Sequence, residues 1–197
     1  NTLVALICTT QDEDSPGWVA YSLGEIGKDN PVAITALMEL IRTAQVELIR
    51  TAQNENTWRW AAESLGKIDK DNPVAITALV ELIRTTQNEY TPGWVAYSLG
   101  EIGKDNPVAI NTLVELIRTT EDEYTRWTAA SSLGRIGKDN PEAITALVEL
   151  IGTTEDENTR RDAAYSLGKI DKDNPEAINT LVELICTTQD EDSPGWV

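Results

Sequence analysis

The side chains with chemistry to offer in this 197-residue chain are aromatic and cationic rather than nucleophilic. It holds six tryptophans, five tyrosines, two cysteines and no histidine. Without histidine there is no His-dependent triad and none of the usual zinc sites. Cys8 and Cys186 stand at opposite ends and make no disulfide framework. No catalytic set, cofactor or metal is expected. Trp, Tyr and Arg are instead the side chains that dominate the energetics of protein interfaces. Recognition is the chemistry to look for, and the elements that would position it come next.

The string SLG-x-I-(G/D)-KDNP occurs five times, and its glycines are Gly24, Gly66, Gly100, Gly134 and Gly168. The steps between them are 42, 34, 34 and 34 residues. A fixed period in this range marks a stacked-repeat architecture. In residues 125–158 a first helix is predicted from about Arg126 to Ile136, capped by the Thr125 hydroxyl. Ala129, Ala130, Leu133 and Ile136 recur at helical spacing and form its buried stripe. Gly134 lies within this helix, where glycine costs about 1 kcal/mol against alanine. Its return in every repeat predicts a close helix–helix approach. Gly137 suits the left-handed residue past the helix end; Asp69 and Asp171 replace it in two repeats. Asn140-Pro141 opens a second helix, with Asn as N-cap and Pro at the first helical position. Ala143, Ile144, Leu147, Val148, Leu150 and Ile151 give that helix a wide apolar face. No period-two alternation occurs, so strands are not expected. One such pair cannot bury its own faces, whereas stacked pairs can. The expected fold is all-α: a right-handed α-solenoid of stacked antiparallel helix pairs, forming one array over 1–197. It comprises a half repeat at 1–14, repeats at 15–56, 57–90, 91–124, 125–158 and 159–192, and a stub at 193–197.

Differences between repeats locate the recognition surface. Counting Thr125 as position one, position three reads Gly17, Arg59, Gly93, Trp127, Arg161. Position four reads Trp18, Trp60, Trp94, Thr128, Asp162. Position seven reads Tyr21, Glu63, Tyr97, Ser131, Tyr165, and position eleven Glu25, Lys67, Glu101, Arg135, Lys169. At about 100° per residue these positions share one face of the first helix, and stacking would join them into one surface. The alternative is that the rings pack on the neighbouring repeat. Position four fits either reading, because a Trp beside an apolar stripe often covers the core edge. Position seven favours exposure, since a core site would not exchange Tyr for an unpartnered Glu. On the second helix Glu39, Glu81, Glu115, Glu149 and Glu183 form an unvarying row. Arg42, Arg84 and Arg118 follow three residues on, which predicts ion pairs along a solvated outer face.

Two irregularities stand out. MELIRTAQ at 38–45 is followed by VELIRTAQ at 46–53. Eight added residues extend a helix by about 12 Å and turn it by about 80°. The expected result is an overshooting helix or a local loop. Residues 1–19 match 179–197 with one change, Ala5 for Glu183. Neither end carries the polar capping repeat that solenoids normally need. Either the chain is a piece of a longer array, or its ends meet those of other copies. The second case would use Leu3, Val4, Leu6, Ile7 and Cys8, with Cys186 at the position equivalent to Cys8.

The run TRWTAASSLGRIG at 125–137, with a short turn and PEAI after it, resembles bacterial HEAT-like repeats of the phycobilisome-lyase type. It is similar in particular to the repeat tails of NACHT-type signalling ATPases, and to artificial HEAT-like binding scaffolds. The 34-residue period also fits tetratricopeptide repeats, whose Trp, Gly-Tyr and Pro pattern is missing. In the binding scaffolds the corresponding positions carry partner-contacting residues on the concave side. The resemblance therefore implies a partner-binding groove lined by Trp18, Tyr21, Arg59, Trp60, Glu63, Trp94, Tyr97, Trp127, Arg135, Arg161, Tyr165 and Lys169. The implied function is a non-enzymatic protein- or peptide-binding scaffold or sensor module, with head-to-tail self-assembly as the alternative. A bilin-lyase-like enzyme is a remote third, suggested by the family name alone. A net charge of −17 disfavours nucleic acid and anionic membrane as partners. No apolar run reaches the roughly 20 residues of a membrane span. The scarcity of cysteine fits a reducing cytoplasm.

Overall fold

A computed structural model describes residues 21, 22, 24, 25, 30–32, 35, 36, 55–67, 72–86, 89–170 and 173–187. All regular structure among them is α-helical. The bounded helices are α1 (Glu55–Gly66), α2 (Pro73–Thr85), α3 (Thr91–Ile102), α4 (Pro107–Thr119), α5 (Glu123–Ile136), α6 (Pro141–Thr153), α7 (Glu157–Ile170) and α8 (Pro175–Thr187). They alternate between the two helix types of the repeat. The architecture is an α-solenoid, in two compact units spanning Asn1–Ile102 and Gly103–Val197.

Within the second unit the first helices α5 and α7 lie against each other, and so do the second helices α4 and α6. The first unit pairs its first helices α1 and α3 in the same way. The core is the repeated stripe. Leu65, Leu79, Leu82 and Leu99 in one unit, and Leu113, Leu133 and Leu147 in the other, are fully buried. Alanines at positions five and six (Ala129, Ala130, Ala163, Ala164) let the first helices approach closely.

The recurrent SLG glycine marks the closest contact. A Cβ added at Gly134 would lie 2.7 Å from Cβ and Oγ of Ser166 on the next first helix. At Gly66 it would meet Ser98 Cβ at 2.9 Å, and at Gly24 the Cα and Cβ of Ser64 at 2.8 Å. The expected close approach is therefore glycine against serine. Each of these serines belongs to the next copy of the same SLG motif.

The second helices begin as the Asn-Pro pair requires. The Asn72 and Asn106 side chains accept from the backbone N–H groups two and three residues on, and Asn140 accepts from Ala143 N–H at 2.9 Å. Two local expectations are corrected. The cap of α5 is Asp122, not Thr125: Asp122 Oδ2 accepts from Thr125 N–H at 2.8 Å and from the Thr125 hydroxyl at 2.6 Å. A carboxylate outcompetes a hydroxyl as acceptor, so the helix starts earlier and Thr125 is buried in its first turn. Gly137 is not left-handed, with φ −93°. The left-handed residue is Asp139, at φ 55°, with Asp105 equivalent to it at φ 59°. Gly137 is needed for space instead, since a Cβ there would sit 2.9 Å from Ala143 Cβ and Leu133 O.

The Asp139 turn also joins neighbouring repeats. Its N–H donates to Ile136's counterpart in the next repeat, Ile170 O at the end of α7, at 3.2 Å. Asp105 N–H donates likewise to Ile136 O at the end of α5, at 3.3 Å. Each bond satisfies a carbonyl that the helix end leaves open. The duplicated octapeptide at 38–53 lies outside the described residues.

Candidate functional site

On α5 and α7, positions three, seven and eleven point away from the stripe that the core buries. Tyr165 is 56% exposed and Trp127 37%, whereas Leu133 and Leu167 are fully buried. The Trp127 indole N–H donates to Asp162 Oδ2, one repeat on. Asp162 Oδ1 accepts from Arg161 Nε at 3.2 Å. One carboxylate thus holds an indole from α5 and a guanidinium from α7 side by side. A turn further along α7, Lys169 Nζ stands 4.2 Å from the centre of the Tyr165 ring. Arg135, exposed on α5, donates to Ser132 Oγ at 3.0 Å.

The first unit makes a different version of the same surface. Tyr21 and Trp60 meet edge to face, with ring centres 5.6 Å apart. Lys67 Nζ lies 3.9 Å from the Tyr21 ring centre and donates to Glu25 Oε1 at 2.8 Å. The hydrogen bond to Glu25 raises the Lys67 pKa, partly against desolvation, and the charges of Glu25 and Tyr21 add to the rise. Arg59 Nε donates to Glu63 Oε1 at 2.8 Å, one turn along α1. Tyr97 on α3 is 49% exposed.

Position four sits at the boundary between surface and core. Trp60, Trp94 and Asp162 are half-buried, while Thr128 is buried and donates to Tyr124 O at 2.7 Å. At position three Gly93 is buried, Arg161 half-buried and Arg59 exposed. Trp18 and the proposed self-association residues Leu3, Val4, Leu6, Ile7 and Cys8 lie outside the described residues. Cys186 is an exposed thiol on α8. Two residues of the surface escaped the sequence reading. Asp162 looked like one more variable position, with nothing in the spacing to show that it holds Trp127. Tyr124, 46% exposed with its ring centre 5.8 Å from that of Trp127, precedes the first counted position.

The outer row is exposed at Glu81, Glu115, Glu149 and Glu183. Its ion pairing is corrected at Arg118, whose Nε donates to Glu149 Oε2 of the next repeat at 3.0 Å. The expected partner, Glu115, lies along the same helix. Both members of the observed pair are about half exposed, so it contributes little stability. Nearby, a cavity of about 440 Å³ opens among Ile117, Arg118, Arg126, Glu149 and Leu150. Its cations are paired, Arg118 with Glu149 and Arg126 with Glu123. Among the described residues no three carboxylates or thiols converge as metal ligands would, and no helix is long and apolar enough to cross a membrane.

Comparison with known proteins agrees with this architecture. The family described as HEAT repeats matches residues 85–157 and 110–193. Two crystal structures of engineered proteins are similar over the whole chain. One is 26% identical, covering 99% of this chain and 93% of its own, with a TM-score of 0.53. The other is 23% identical, covering 99% and 92%, with a TM-score of 0.54, and speaks to fold alone. No curated protein matches the chain.

Proposed function

This chain belongs to the HEAT-repeat family, and from that premise we propose that it is a non-enzymatic module that binds a protein or peptide through the variable face of its first helices. HEAT repeats are a scaffold fold commonly used for protein interaction. One observation carries the choice of face. On the first helices the repeated apolar positions are buried, whereas the varying position seven is exposed at Tyr97 and Tyr165 and position eleven at Lys67, Glu101, Arg135 and Lys169. Trp127 contacts Asp162 and Tyr165 contacts Lys169, yet both rings and that of Tyr97 keep exposed area, and exposed aromatic area of this kind suits an interface. The likeness to repeat tails of NACHT-type signalling ATPases supports a sensor or scaffold role within a longer protein.

Selection of binders from a random-peptide library on the immobilised chain tests this reading. The variant Tyr124→Ala/Trp127→Ala/Tyr165→Ala, within the second unit, should bind the selected peptides more than tenfold more weakly, with helical circular dichroism unchanged. Equal binding would move the site elsewhere. A second reading, self-association, is favoured by α8. Ile178, Val182 and Ile185 are 46%, 52% and 40% exposed, whereas the equivalent Ile110, Val114 and Ile117 of α4 are buried. Light scattering should then give a mass that rises above 21.6 kDa with concentration, and a constant monomer would end this reading.

A further inference from the structure

We propose that the face of α5 and α7 takes an extended acidic peptide in which two carboxylates, four residues apart, flank an apolar side chain. The inference rests on the binding function proposed above and names the partner's chemistry. Its first support is charge. The chain carries −17 overall, yet this face presents Arg135, Arg161 and Lys169, while its carboxylates are engaged, Asp162 by Trp127 and Arg161, Glu123 by Arg126 and Glu157 by Arg160. The corresponding positions of the first unit mix Arg59 and Lys67 with Glu25, Glu63 and Glu101. Beyond about 8 Å at physiological salt the remaining acidity is screened, so a short ligand responds mainly to the local cations. A long polyanion such as RNA would extend past them into repulsion.

The second support is spacing. Arg161, Tyr165 and Lys169 succeed one another at four-residue steps on α7, which places them about 6 Å apart along the axis. An extended peptide advances about 3.3 Å per residue, and alternate side chains share a face. Residues one, three and five of such a peptide therefore fall opposite Arg161, Tyr165 and Lys169. Carboxylates suit the two cations, and an apolar side chain suits the Tyr165 ring, which is 56% exposed beside the Lys169 ammonium. The third support is preorganisation. Asp162 fixes the Trp127 indole and the Arg161 guanidinium together, so less freedom is lost when a ligand arrives.

The library selection on the full chain distinguishes the outcomes. Selected peptides should be enriched in Asp or Glu at a four-residue interval around an apolar residue, and should bind more weakly as NaCl rises. Arg161→Gln and Lys169→Glu should each weaken them about tenfold or more. Lys138→Gln, in an exposed turn, should leave them unchanged. Selected peptides without acidic enrichment that still lose binding in Tyr165→Ala would overturn this inference and leave the binding face standing. An absence of selected peptides would end both. Oligouridylate binding as tightly as the acidic peptides would overturn the choice of peptide over nucleic acid.

Discussion

Gly134 shows how much one absent methyl group can decide. In a free helix its replacement by alanine would gain about 1 kcal/mol. Here the new Cβ would enter Ser166 at 2.7 Å, and α5 and α7 would have to separate. Forcing a methyl into a closed contact costs about 1–3 kcal/mol. The expectation is a net loss of about 1 kcal/mol for Gly134→Ala in urea unfolding, with most of it returned by Ser166→Gly in the same chain. A stabilising Gly134→Ala would show that the contact is loose. The recurrence of the glycine made the close approach legible in the sequence, but its partner was not. Serine reads as a polar surface residue, yet Ser98 is fully buried and its hydroxyl has no hydrogen-bond partner. Size, not polarity, suits it to that position. Asp162 was equally hidden, because its role depends on an indole 35 residues away that only stacking brings near.

Helix boundaries were legible where one residue type has one local task. Asn140-Pro141 is such a pair: the side-chain oxygen caps and the ring fixes the first turn. The first helix was harder, because Asp122 and Thr125 are both good caps and only folding ranks them. The KDNP turn was read for its Asn and Pro, while its Asp does the less obvious work. Asp139 adopts a left-handed backbone at φ 55° and donates its N–H to Ile170 O. Left-handed geometry costs an ordinary L-residue about 1–2 kcal/mol, less for Asp and nothing steric for glycine. Asp139→Gly should therefore leave thermal stability unchanged or slightly higher, because the N–H remains. Asp139→Val should cost about 1–2 kcal/mol, since a β-branched side chain strains that φ. If both variants behaved alike in calorimetry, the turn would have relaxed out of the left-handed region.

At the scale of the whole chain, the period made the solenoid legible, and the differences among the repeats indicated which face to examine. The pairing within that face stayed out of reach, because it joins residues of successive repeats. The same scale carries a prediction about charge. A chain at −17 repels itself when compact. The opposing ion pairs are largely exposed, as at Arg118–Glu149 and Lys67–Glu25, and exposed pairs contribute about 0–1 kcal/mol each. Salt weakens both effects, but repulsion acts over longer distances. The Debye length falls from about 30 Å at 0.01 M to about 8 Å at 0.15 M, so the long-range repulsion is screened first while contacts near 3 Å persist. Raising NaCl across that range should therefore stabilise the chain. Relief of about 1 kcal/mol corresponds to a rise of about 2–4 °C in the unfolding midpoint for a protein of this size. A midpoint that falls instead would mean that the ion pairs between repeats outweigh the repulsion. The inter-repeat pairs would then hold the stack together more strongly than their exposure suggests.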